Sequence, residues 1–146
     1  MSRQVFYRNF DSKYSLHWWW PMHVHRFYLA EVGRSLDWLT GYERHIELLS
    51  MEKDFFRIAT GYTATMPCVN SVMPGFRRLV LMETLRDYRG MEIDQEMRFI
   101  IDNWVKTETE VLTDWYRNGS TPAPAEAARL LVELIPPRLH DAMRVE

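Results

Sequence analysis

Between Gly90 and Gly119 the apolar residues Ile93, Met97, Ile100, Ile101, Trp104, Val111, Leu112 and Trp115 return on one helical stripe. Asp94, Glu96, Asp102, Lys106, Glu108, Glu110 and Asp114 fill the remaining positions. A strand cannot use that period, because its side chains change face at every residue. The pattern predicts an amphipathic helix of about 25 residues, roughly 37 Å long, closed by Asn118-Gly119. Such a helix is longer than most in a chain of 146 residues, and its far end is expected to project toward a partner.

The rest of the chain divides into helices at clear stops. A first helix is expected over residues 23–39, with Val24, Tyr28, Val32, Leu36 and Leu39 on one face and Pro21 just upstream. Thr40-Gly41-Tyr42-Glu43 fits a capping box that would start a second helix, carried by Ile46, Leu49, Phe56 and Ala59 to about Thr60. Residues 61–75 hold two glycines and two prolines and read as a long loop with room for a short extended piece, a type of segment often used for contact. Pro74 suits the first turn of a third helix bearing Phe76, Val80, Leu81, Leu85 and Tyr88, with Gly90 as its stop. After the long fourth helix, Ser120 to Pro124 reads as a turn. Ala127, Leu130, Leu131, Leu134 and Ile135 then mark a fifth helix ended by Pro136-Pro137, with a short terminal helix from Arg138 to Val145. The expected fold is all-α: an irregular bundle of about five helices over residues 23–146, a single domain, preceded by an extended aromatic N-terminal arm at 1–22.

Composition narrows the function classes. A chain with 47% apolar and 26% charged residues has globular chemistry, and no apolar run approaches the roughly 20 residues of a membrane span. A net charge of −2 disfavours a nucleic-acid partner. Cys68 is the single cysteine, which excludes an intramolecular disulfide and favours an intracellular, reducing location. Arginine supplies fifteen of the eighteen cationic side chains, lysine only Lys13, Lys53 and Lys106, as codon usage in a GC-rich genome or a demand for planar cations at contacts would produce. Residues 1–16 carry Arg3, Arg8 and Lys13 against Asp11 alone, with Phe6, Phe10 and Tyr14 at helical spacing. That composition is similar to a mitochondrial targeting segment, the competing reading being an arm that packs across the domain.

Three of the six tryptophans and three of the five histidines fall within residues 17–25. Trp18, Trp19 and Trp20 cannot all enter one core in either a helix or a strand, so at least one ring is expected on a contact surface. Trp, Tyr and Arg dominate protein interfaces, which marks Trp18, Trp19, Trp20, Arg26 and Phe27 as candidate partner-binding residues. Arg77 and Arg78, with Arg86 and Arg89 on the same short helix, are candidates for an acidic partner. Other protein subunits are the expected partners. The tryptophans also suit a membrane-proximal contact, although the segment lacks the basic polar face of a peripheral anchor.

Catalytic and metal signals are thin. His23 and His25 would share a strand face but diverge by about 200° in a helix, and His17, His45, His140 and Cys68 stand at no ligand spacing. The chain contains no Glu-x-x-His pair, no Gly-x-Ser-x-Gly elbow and no phosphate-cradling glycine cluster. Cys68 lies in an apolar stretch without a nearby cation, and Glu43/Glu47, Asp94/Glu96 and Glu108/Glu110 read as solvated helix faces. No cofactor, no metal and no enzymatic activity are therefore expected.

Val24-His25-Arg26-Phe27-Tyr28, followed by Arg34 and Trp38, resembles the opening of LYR-type proteins, small three-helix mitochondrial assembly factors and accessory subunits of respiratory complexes. Leu29 stands where that motif has its arginine and Phe27 where it has its leucine, so recruitment of an acyl carrier protein is not implied. The resemblance, the basic arm and the aromatic segment together suggest an accessory subunit of a mitochondrial complex. The alternatives are a small viral or bacterial protein that docks on and inhibits a host complex, and a helical ligand-binding or enzymatic domain with a pocket of Trp18, Trp19, Trp20, His23 and His25.

Overall fold

Helices supply every regular element of the computed structural model, which describes residues 8, 19, 23, 25–51, 54 and 69–145. They are α1 (Trp38–Met51), α2 (Val69–Glu83), α3 (Gln95–Arg117), α4 (Pro124–Glu133) and α5 (Pro137–Ala142). A 3-10 turn at Leu29–Glu31 precedes α1, and a π turn at Thr84–Tyr88 extends α2. The expected all-α bundle is the observed fold. α1 packs along α4, α2 along α3, α5 returns to α3, and the 3-10 turn touches both α1 and α2.

The long stripe behaves as its period requires. Asp94 caps α3, its Oδ1 accepting from the Met97 amide at 2.8 Å, and the helix runs for 23 residues. Met97, Ile101, Trp104 and Trp115 are buried, while Ile93, Ile100, Val111 and Leu112 pack half-buried against them. Its far end does not project, contrary to expectation. Trp115 and Tyr116 are buried there, and Trp115 Nε1 donates to the Pro122 carbonyl at 2.7 Å, so the following turn folds back over the helix end. The fifth predicted helix is α4. Ala127, Ala128 and Leu131 form its inner face, and Leu130 and Leu134 turn outward.

The continuous helix expected over 23–39 is broken. Residues 25–27 are helical, the chain then tightens into the 3-10 turn, and Val32 bridges to Leu36 around a turn with Gly33 at φ +79°. Apolar spacing alone missed this, because Leu29 and Val32 are buried from a turn just as they would be from a helix. A Cβ on Gly33 would also meet the Met143 side chain at 2.9 Å, so that turn closes against the chain's last segment. The capping box at Thr40 is not formed either. Asp37 Oδ1 accepts from the Thr40 amide at 2.7 Å, and Thr40-Gly41-Tyr42-Glu43 lies inside α1.

The second half of the predicted 61–75 loop is helix. α2 begins at Val69 and carries Pro74 in its interior rather than in its first turn, losing one backbone hydrogen bond there. Burial of Arg77, Val80 and Leu81 in the turns beyond Pro74 maintains the helix. The predicted end near Thr60 and residues 61–68, Cys68 included, lie outside the described residues. The π turn shows the i to i+5 bond from the Arg89 amide to the Thr84 carbonyl, 3.0 Å. Arg34 secures the Gly33 turn to it: Nε donates to Thr84 Oγ1 at 3.0 Å, Nη2 lies 3.3 Å from Glu83, and the guanidinium sits 3.9 Å above the Tyr88 ring.

Candidate functional site

Trp19, His23 and Phe27 stand four residues apart in the sequence, and their rings come together as one ladder. The Trp19 and His23 rings stack at 4.7 Å with 16° between their planes, and Phe27 meets His23 edge-on at 5.0 Å. Trp19 is 46% and Phe27 59% exposed, and Arg26 beside them is exposed as well. Of the predicted contact residues, Trp19, Arg26 and Phe27 thus lie on the surface of one stretch, while Trp18 and Trp20 are outside the described residues.

His25 turns the other way. Its ring is buried, edge-on to Phe76 of α2 at 5.3 Å and to His45 of α1 at 6.0 Å. The divergence that a helix imposes on His23-x-His25 is realised: one ring joins the exposed ladder and the other enters the core. Among the described residues, no group of three His, Cys, Asp or Glu side chains is placed to hold a metal ion.

Beneath His25 lies an ionic cluster built from three helices. Arg77 of α2 is fully buried, which corrects its assignment to a partner-binding surface. Its Nε donates to Glu108 Oε2 of α3 at 2.9 Å, and its Nη1 donates to the Leu29 carbonyl at 2.7 Å. Tyr42 of α1 donates its hydroxyl to Glu108 Oε1, and Trp38 covers the guanidinium with its ring centroid 5.6 Å away. Glu108 is buried too, so its reading as a solvated face is also corrected. Burial pulls the Arg77 guanidinium down, but Glu108 and Tyr42 outweigh it and the net shift is upward. Burial, with the Glu108 charge, holds the Tyr42 phenol well above its usual range, so the hydroxyl keeps its proton for Glu108.

The two histidines shift the other way from Arg77 and Tyr42, both downward. Burial first, then the Arg77 charge, pushes His45 down to about 3, and burial, Arg77 and His45 hold His25 well below its ordinary value. Both rings are neutral at pH 7. His25 Nε2, His45 Nδ1 and Arg77 Nη2 are buried without a hydrogen-bond partner among the described residues. A buried polar group in that condition costs about 1–3 kcal/mol.

Arg78 pairs with Asp102 across the α2–α3 seam, Arg86 with Asp87 at 3.0 Å, and Arg89 Nη2 donates to the Arg144 carbonyl at 2.6 Å. These arginines therefore have intramolecular partners instead of forming one open cationic face. The acid pairs Glu43/Glu47 and Asp94/Glu96 are exposed as expected. The ionic cluster carried a readable signal. Glu108 falls seven positions after Ile101 and seven before Trp115, on the apolar stripe, and Arg77 precedes Leu81 by four on the buried face of α2. No family model, curated protein or solved structure matches the chain.

Proposed function

We propose that this chain is a non-enzymatic interaction subunit of a larger protein assembly and that the surface formed by Trp19, His23, Arg26 and Phe27 is its contact surface. The observation that supports this reading is the exposed aromatic ladder, with Trp19 and Phe27 at 46% and 59% exposure and an arginine beside them. Large aromatics with a planar cation are the side chains that dominate interface energetics, and they lose little side-chain entropy on docking. Arg26 and Phe27 lie between His25 and Leu29, both anchored to the bundle, which supports a set presentation of that end of the ladder.

The test is affinity purification of the tagged chain from its own cells, wild type against Trp19→Ala/Phe27→Ala. The expected result is a co-purifying protein in stoichiometric amount with the wild type and its loss with the variant, with circular dichroism and the thermal midpoint retained. Identical recovery with both chains would reject this surface as the contact. A bound small molecule retained by both would favour the ligand-binding alternative.

A further inference from the structure

Among the described residues, the stretch from His25 to Ala30 is held on the bundle by the buried His25, Leu29 and Ala30 side chains and by the Leu29 carbonyl, and of these the His25 ring can change charge. Residues 25–29 dock through the His25 ring, wedged between His45 and Phe76, and through the Leu29 carbonyl, held by Arg77 Nη1 at 2.7 Å. From α1, His45 and Tyr42 face this joint, and α2 contributes Arg77. Glu108 is the contribution of α3, while His23 and Arg26 of the same stretch lie on its outer side. Glu108 is the one carboxylate in the set, and both its oxygens are engaged, one by Arg77 and the other by Tyr42.

We propose that the His25–His45 pair is an acid-sensitive clasp that holds the aromatic stretch on the bundle and releases it when His25 takes up a proton. A protonated His25 would place a second cation beside the Arg77 guanidinium in a buried site, with no uncommitted carboxylate among the described residues to receive it. Undocking lets the ring reach water and carry its charge at the ordinary value, so protons favour the released form. His25 is held neutral in the docked form by burial, Arg77 and His45, which sets the direction of the effect. Release would reorient the ladder of Trp19, His23 and Phe27 and bare the apolar surface under His25. The clasp would thereby regulate the contact surface proposed above, and it rests on that reading for its purpose.

Backbone hydrogen exchange of the full chain at pH 7.5 and 5.5, corrected for the intrinsic pH dependence of exchange, tests the clasp without any partner. Protection over residues 23–31 is expected to fall about tenfold between the two conditions, the change that one histidine of ordinary pKa gives on release. Protection over residues 97–108 of α3 should stay well above that over residues 23–31 at both pH values, and His25→Phe should abolish the fall over residues 23–31. Protection over residues 23–31 equal to that over residues 97–108 at pH 5.5 would mean that both exchange only by global unfolding and would overturn the proposal, as would a fall that persists in His25→Phe. Should that variant fail to fold, the His25 ring resonance of the wild type decides. A ring that titrates near its ordinary value while residues 23–31 stay protected rejects the clasp, and one that titrates together with their loss of protection supports it. Failure here leaves the interaction reading standing, because the purification test depends on Trp19 and Phe27 and not on pH.

Discussion

Arg77 is the side chain on which most of the interior depends. It joins α2 to Glu108 of α3 and to the Leu29 carbonyl ahead of α1, and Trp38 and Tyr42 of α1 close over it. Removing one member of a buried pair leaves the other charged and desolvated, so Arg77→Met is expected to lower unfolding free energy by about 3–5 kcal/mol. The double variant Arg77→Met/Glu108→Leu should recover most of that loss, because no charge then remains without its partner. Urea denaturation of the two singles and the double, read as a mutant cycle, checks both statements. The residues of this cluster could be found in the sequence, but their pairing could not. A charged residue on an apolar stripe announces burial, whereas the identity of its counter-ion depends on which helices become neighbours.

Helix α1 shows how a local motif can be outcompeted. Thr40 and Glu43 have capping-box spacing, yet Asp37 three residues earlier makes the cap and the box lies within the helix. Asp37→Ala is expected to cost about 1 kcal/mol and Thr40→Ala to be neutral or slightly stabilising, the reverse of what the motif suggests; paired chemical denaturation curves distinguish them. Packing explains the earlier start. A Cβ at Gly41 would lie 2.4 Å from Val32 Cγ2, so this glycine belongs inside the helix, where α1 approaches the turn before it. Gly41→Ala should therefore destabilise by about 1–3 kcal/mol, although alanine is the better helix former, and thermal melting would show the sign. The same competition accounts for α2. Proline and glycine signals predict a loop through residue 75, but burial beyond Pro74 carries the helix through it.

The paired helices enclose the two histidines from several sides, and this gives the whole molecule a pH dependence. His45 falls from 6.5 to about 3 in the folded chain. Below its ordinary pKa the unfolded state binds a proton that the folded state refuses. The corresponding stability is fully present above about pH 6.5 and is lost by about 1.4 kcal/mol per pH unit as pH falls toward the folded value. Urea denaturation from pH 7.5 to 5.0 should show a fall at least that steep, because His25 is depressed as well, and His45→Phe should reduce the slope without abolishing it. The number and order of the helices beyond Gly90 were legible from the one-dimensional pattern, because a long amphipathic stripe admits only one secondary structure and glycine and proline mark its limits. The exposed aromatics near Trp19 were legible for the related reason that three adjacent tryptophans exceed what one core face can take. The break at Leu29–Glu31, the helix through Pro74, the turn folded back over Trp115 and the meeting of Arg77 with Glu108 were decided in three dimensions. Each depends on groups outside the periodic pattern of its own element, most of them distant in sequence, whose burial is favourable only together, and helical spacing contains no record of which groups those are.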